Sequence, residues 1–573
     1  MNYKHYSERP DHLKAEYAAA EYAALKSRIE AAENAESPDL WLALYADWNA
    51  LKSYLGGEGS RRSHEQSKDM NDPARDEADR EFREEIRPVF DNGEATLVAA
   101  LLASRHREAI GQVYGQHLLN VLEIAKEPLA PVNSDLRVKE GDLVNRYEKI
   151  VASGEVEVEG QTVTLPVARS MLKSANAETR RAAFYAYRNW FVEHRDEIAP
   201  IFDEMVKLRD QMGRNLGHAN FIPLGYAGMG RTDYGPEQVA SFRESIRRYV
   251  VPLQKKLYEA QGEALGTGSL KPWDVEFDPQ TTLPEGVAPV EEQLDRAQRL
   301  FDKLSPKLAP HFTRMREEGL IDLENRKGKR AGAYCTSFSD EGRVAILCNS
   351  TGEEGDVGTL MHEMGHAFQG WESQAIDAVD LQWPTSDACE IHSMGMEYLS
   401  MRHMTEFFSP EDAEKFQRNR WKAAVEIITY IAIVDEFQHW VYENATATPD
   451  ERDAAWNRIW DVYKDGIDYS GESSAVKAAR WYAQGHIFAN PFYYIDYAVA
   501  EICAMQLALL DVQDHDHAME TYHELCRIGG TKSILTIIRD AGLRSPFDPE
   551  LVRDLMGHAA GLLGVEATAS AMN

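Results

Sequence analysis

The chain has 573 residues, 43% hydrophobic and 27% charged, with a formal net charge of −32 and an isoelectric point near 5.0. That length sustains two to four domains, or one large helical body split into lobes, and the composition is that of a folded chain rather than a disordered one. The acidity excludes nucleic acid and anionic membrane surfaces, which attract basic footprints, and leaves solubility as the plain consequence of the charge.

Five cysteines (Cys335, Cys348, Cys389, Cys503, Cys526) are scattered without a CxxC pair, a pattern of buried thiols in a reducing compartment. The first ten residues, Met1 to Pro10, hold no apolar signal core, and no uncharged apolar run reaches the roughly eighteen residues of a membrane span. A cytoplasmic location is the expectation.

In chain order, Asp11 to Leu55 repeats apolar residues at helical spacing, Ser60 to Asp79 is polar and predicts a loop or a weak helix start, and Glu84 to Glu127 is helical again. Val156 to Leu165 alternates about Glu159-Gly160 and predicts a small hairpin. Helix signals return from Ala177 to Arg214, and Gly266 to Val290, rich in Gly, Pro and Thr, predicts an irregular connection. Residues 331–338 and 343–348 are the best strand candidates, and from Gly358 to about Gly564 the pattern is mostly helical. The tail from Ala567 is small and polar, as in a frayed end. The expected organisation is an N-terminal helical region with a small hairpin over 1–199 and a catalytic region over 200–573.

The central signal is His362-Glu363-Met364-Gly365-His366. On a helix, residues i and i+4 share one face, so both imidazoles reach one tetrahedral metal. Glu363 between them is the expected general base toward a water that zinc makes acidic. Asp356 and Gly358 can start this helix. A third ligand at the spacing HExxHxxGxxH is missing, since position 369 is Gln and position 372 is Glu.

The acidic candidates downstream are Glu372, Asp377, Asp380, Asp387, Glu390 and Glu397. Glu372 faces away from the two histidines on an ideal helix, and Asp377 and Asp380 lie in an expected loop. Residues 384–401 predict a second helix, entered at Pro384 and capped by Ser386 or Asp387, on which Glu390, Ser393 and Glu397 share one face. Glu390, twenty-four residues past His366, is the expected third zinc ligand, and Glu397 the carboxylate that orients a ligating histidine.

His362-Glu-Met-Gly-His-Ala-Phe-Gln, followed by Trp383-Pro-Thr-Ser-Asp-Ala-Cys-Glu390-Ile-His-Ser-Met-Gly-Met-Glu397, resembles the oligoendopeptidase F and Pz-peptidase branch of the thimet oligopeptidase family. The segments Asn220 to Tyr226, Arg231 to Tyr234, Leu270 to Asp274, Gly332 to Thr336 and His486 to Tyr497 fit the same resemblance, which covers about residues 200–510 and weakens upstream.

It implies a mainly α fold, a large two-lobed helical body around a deep substrate channel, with a small β-sheet beside the active-site helix. It also implies one Zn2+ per chain held by His362, His366 and Glu390, and internal cleavage of short unfolded oligopeptides. A further implication is a His and Tyr cluster that stabilises the oxyanion. Neutral donors aimed at a carbonyl oxygen gaining negative charge do this physically.

From Pro491 the pattern predicts a helix. On it Tyr497 is the expected main donor, with Tyr494 and His486 supporting it, and Tyr493 shares the face. The strand over 332–338 offers an edge to an extended peptide. The chemistry predicts short peptides as partners, and the sequence carries no sign of an oligomeric state. Two alternatives stay open: a zinc carboxypeptidase of related fold, for which Arg231 or Arg480 could hold a substrate carboxylate, and a catalytically inactive peptide-binding protein.

Overall fold

Ala, Leu, Glu, Lys and Arg fill most of the periodic stretches, and straight-chain residues lose little freedom on entering a helix, so helices dominate. The computed structural model describes residue 10, residues 12–284 and residues 286–566. The signal-peptide reading of the first nine residues and the frayed-tail reading from Ala567 lie outside them. The described residues form a mainly α chain with two small sheets.

It divides into two compact units interleaved along the chain. The first comprises Met1–Ile124, Pro284–Ser409 and Ala504–Leu543, and the second Ala125–Leu283, Pro410–Cys503 and Arg544–Asn573.

In the first unit, helices Ala15–Ser27 and Asp39–Lys68 bury Tyr22, Trp41, Tyr45, Trp48 and Tyr54 against Phe82, Phe90, Leu97 and Leu101. Ala378 and Leu381, from the segment that links the two helices of the metal motif, complete this core. Polar contacts tie the same segment down. The Asn49 amide donates to the Asp377 carbonyl at 2.7 Å and accepts from the Val379 N–H at 2.9 Å. Lys52 bridges Asp380 (2.5 Å) and Glu94 (2.9 Å).

Of the two readings of Ser60 to Asp79, a loop or a weak helix start, the structure has mostly helix, the end of Asp39–Lys68 and the start of Pro73–Glu81. Its charges are not solvated loop residues. Arg61 pairs with Glu58 and Asp340, and Arg62 with Glu58 and Glu81.

The second unit carries the hairpin of β1 (Glu155–Val158) and β2 (Gln161–Thr164), antiparallel, with Glu159 and Gly160 both at positive φ (52° and 78°) as a two-residue primed turn requires. The three-stranded sheet belongs to the first unit. Its order is β3 (Ile321–Glu324), β5 (Arg343–Ser350), β4 (Tyr334–Phe338), with β3 parallel and β4 antiparallel to β5. Strand β4 starts at Tyr334, later than the sequence suggests, because Gly332 turns the chain at φ 93°. Strand β3 was not anticipated: four residues are too few to show alternation.

Candidate functional site

Strand β5, buried from Val344 to Cys348, feeds the motif helix Glu354–Glu372. One Asp356 carboxylate oxygen accepts from the backbone N–H groups of Thr351 (2.7 Å), Gly352 (2.6 Å) and Glu353 (3.1 Å), which fixes the entry turn. A second helix, Ser386–Ser400, lies against it. Thr385, rather than Ser386 or Asp387, stands at the N-cap, and the Asp387 carboxylate accepts from the Thr385 hydroxyl and from the Ala388 N–H.

Gly365 is what lets the helices approach. A Cβ there would sit 2.6 Å from Ser393 Cα. From a third helix, His515–Ile528, Tyr522 donates its hydroxyl to the His392 carbonyl at 3.0 Å.

This close crossing brings His362, His366 and Glu390 together. One nitrogen or oxygen from each lies within 4.8 Å of the others. His362 Nε2 is 3.4 Å, and His366 Nε2 3.7 Å, from Glu390 Oε2. The two imidazoles stand nearly perpendicular with centroids 5.0 Å apart. Ser393 Oγ donates to Glu390 Oε2 at 2.9 Å, and His362 Nδ1 lies 2.7 Å from Glu397 Oε1. Glu363 is buried, and its Oε2 has no hydrogen-bond partner.

The other acidic candidates are engaged elsewhere: Glu372 with His311 at 2.7 Å and Asp380 with Lys52. Burial pushes the Glu363 carboxyl up to about 7, with His362 opposing it. Burial alone would make the His362 imidazolium more acidic, but hydrogen bonds to Glu390 and Glu397 carry it up to about 10. Burial pushes His366 down to about 4. His362, His366 and Glu390 are so placed that they could together hold a metal ion.

Strand β4 forms the edge of its sheet. A cavity of about 420 Å3 in the first unit borders Tyr334, Cys335 and Thr336, with Phe82 and Phe90 among its other walls.

The His and Tyr residues belong to the second unit. His486 sits on the short helix Gly485–Ala489, and its ring lies 4.8 Å from that of Tyr494, 5.8 Å from Tyr493 and 6.3 Å from Tyr497 (centroids). Tyr493 donates its hydroxyl to that of Tyr497 at 3.0 Å. The expected helix from Pro491 starts only at Ile495, so Tyr493 and Tyr494 lie on the turn before it.

The reason is Phe492, a bulky residue at φ 65°, a conformation that persists only when its surroundings enforce it. Its N–H donates to Gln438 Oε1 (2.9 Å), and its carbonyl accepts from Arg231 Nη2 (2.5 Å). Arg231 also pairs with Asp496 at 2.6 Å, with both side chains buried. Its Nη2 is thus committed to the turn, while its Nε and Nη1 are buried without hydrogen-bond partners.

Gln484 was not foreseen from sequence. Its Oε1 accepts from the Tyr430 hydroxyl at 2.7 Å, which turns its amide nitrogen, as donor, toward His486 Nδ1 at 2.8 Å. His486, kept neutral by burial, then carries its proton on Nε2 as a donor. The closest partner of Gln484, Tyr430, is distant in sequence, which hides this role from sequence reading.

The profile of peptidase family M3 matches residues 170–557, and that of the peptidase M3 N-terminal domain matches residues 7–127. A solved structure of Pz peptidase A with an inhibitor is 33% identical, covers 99% of this chain and 100% of its own, and superposes with a TM-score of 0.88. A candidate oligoendopeptidase F from Bacillus anthracis str. Ames is 30% identical, with 99% of each chain covered and a TM-score of 0.83. Chromosomal oligoendopeptidase F of Lactococcus lactis subsp. cremoris is 26% identical over 206 residues, which is 35% of this chain and 32% of that protein. The chain thus spans about a third of the length of the curated relatives it matches.

Proposed function

The chain belongs to peptidase family M3, and from that premise we propose that it is a zinc-dependent endopeptidase that hydrolyses internal bonds of short unfolded oligopeptides. The observation that carries this reading is the convergence of His362, His366 and Glu390 beside the buried, unpartnered carboxylate oxygen of Glu363. Two imidazoles and one carboxylate fit the donor set of a catalytic zinc, which leaves a coordination position for water or substrate. Zinc held there supplies a Lewis acid that polarises the peptide carbonyl and makes water acidic enough to attack near neutral pH.

In this reading His362 and His366 present neutral Nε2 atoms, and Glu397 keeps the His362 proton on Nδ1 and fixes its ring. Glu363 accepts the proton of the attacking water and delivers it to the leaving amine. His486 Nε2–H and the hydroxyls of Tyr497 and Tyr494 are assigned as donors to the negative charge growing on the carbonyl oxygen. All these groups fall within residues 200–573, the region assigned to catalysis. The edge of β4 is assigned to backbone pairing with the extended peptide, which gives affinity with little sequence preference. The restriction to short peptides follows from the resemblance to Pz peptidases.

The test is an internally quenched peptide of about ten residues, blocked at both ends, incubated with the wild type and with Glu363→Gln. Internal cleavage by the wild type alone is expected. Cleavage only after the C-terminus is unblocked would replace this reading with a carboxypeptidase, and silence in zinc-loaded protein would replace it with a binding protein.

A further inference from the structure

Buried arginines in the second unit follow one pattern. Arg180 pairs with Asp274, Arg209 with Glu140, Arg231 with Asp496, Arg243 with Asp435 and Arg452 with Asp203. Burying a guanidinium is costly, and a carboxylate beside it offsets that cost. Two arginines depart from the pattern in a chain that carries 94 acidic residues against 62 basic ones.

Arg188, on helix Ala177–Glu193, is 9% exposed, and its Nη1 is buried without a hydrogen-bond partner. Arg480, on helix Ser474–Tyr482, stacks 4.2 Å above the Tyr430 ring, and its one polar contact is a long 3.4 Å hydrogen bond to Gln484 Oε1. The two helices pack against each other; after burial, the charge of Arg480 is among the causes that lower the pKa of Arg188, whereas burial of Arg480 is outweighed by Tyr430, Tyr187, Tyr494 and Glu276, which raise its pKa.

Nearby acids do not serve as counterions. Glu472 accepts from the Tyr185 hydroxyl at 2.6 Å, and Asp461 pairs with Lys477. Glu276 is felt by Arg480 but forms no ion pair with it among the described residues. The surroundings are otherwise aromatic or basic: Tyr187, Tyr430, Tyr494 and Arg169.

A buried guanidinium with an unpartnered nitrogen and a half-buried one stacked on a tyrosine, neither paired with a carboxylate, can take an anion, and guanidinium groups match a carboxylate with paired N–H donors. Gln484, which contacts Arg480 and Tyr430, also donates to His486. The anion is therefore joined to the assigned oxyanion donors by one side chain.

Resting on the endopeptidase reading above, we propose that Arg188 and Arg480 form a subsite for a carboxylate of the peptide substrate. The carboxylate is supplied either by the peptide's free C-terminus or by an Asp or Glu side chain. The subsite sets peptide specificity and takes no part in bond cleavage.

The experiment uses one quenched peptide in four forms, with a free or amidated C-terminus, each with Glu or Gln downstream of the cleaved bond. Turnover is measured with the wild type, Arg480→Gln, Arg480→Lys and Arg188→Gln, and Kd with Glu363→Gln protein, which binds without cleaving. The wild type should favour one carboxylate-bearing form at least tenfold in kcat/KM, carried by KM, and which form it favours names the source. Arg188→Gln should erase that preference while cleaving the uncharged peptide at the wild-type rate, Arg480→Gln should erase it with any loss on the uncharged peptide confined to kcat through its contact with Gln484, and Arg480→Lys should keep part of it. If Arg188→Gln does not fold, the half-buried Arg480 carries the test alone.

Equal Kd and equal kcat/KM for all four peptides, or a preference that survives Arg480→Gln, would overturn the subsite. Absence of cleavage of every form would overturn the endopeptidase reading instead, and the subsite would still be decided by the Kd comparison.

Discussion

The two units support their proposed functional side chains in opposite ways. In the first, every group sits on a regular helix, and position is set by helical pitch together with one close crossing at Gly365. In the second, Tyr497 is on the regular helix Ile495–Gln513, but His486 and Tyr494 sit on a short helix and a turn, where position is set by buried polar anchors. Gln438 and Arg231 grip the backbone of Phe492, and Gln484 holds His486. A helix pair fixes geometry through repetition and packing. A strained turn needs a specific partner for each constrained group.

Substitutions can break this contrast, and the largest effect should come from Glu363→Gln. It should lower kcat by about 10² to 10⁴-fold, the range for loss of a general base, with zinc content unchanged by elemental analysis. Tyr497→Phe should lower kcat by about 10² to 10³-fold, as for removal of one oxyanion donor. An unchanged kcat would reduce the second unit's cluster to packing. Glu397→Gln should weaken zinc binding by about 10 to 100-fold in a chelator competition while the unfolding midpoint of the metal-free protein stays put.

The smallest effects test the supports themselves. Gly365→Ala should destabilise by about 1–3 kcal/mol through overpacking. Gln438→Met, which leaves the Phe492 N–H unpaired, should cost a similar ~1–3 kcal/mol. Both are read from denaturant midpoints. If Gln438→Met lowers kcat while Gly365→Ala lowers zinc affinity, each support acts on its own cluster.

The same contrast explains what was legible beforehand. His362, His366, Glu390, Ser393 and Glu397 repeat at helical intervals, so their shared face could be read from spacing alone. The hairpin at Glu159-Gly160 announced itself by alternation and turn residues, and the strand after residues 339–342 by a short apolar run, Val344 to Cys348, that is buried in the structure. Phe492 carries no local mark of a left-handed backbone, so the helix at Ile495 was begun too early. Gln484 and the Arg188–Arg480 pair were hidden because their meaning depends on partners, or on missing partners, far away in sequence. The charged stretch after Ser60 stayed open between loop and helix start for a related reason: its arginines meet carboxylates as distant as Asp340.

The order in which the first unit is assembled has a consequence for biosynthesis. Tyr522 closes over the crossing of the two ligand helices through the His392 carbonyl, yet it follows Gly365 by 157 residues. At typical translation rates this is a delay of roughly 8–30 s. During that interval Leu360, Met364 and Phe368, all buried in the finished protein, have emerged without the helix His515–Ile528 that later packs on theirs. The chain therefore completes its metal-binding crossing late, after Pro410–Cys503 of the other unit has been synthesised. A ribosome-bound intermediate halted before Tyr522 would present an apolar helix surface of the kind chaperones retain.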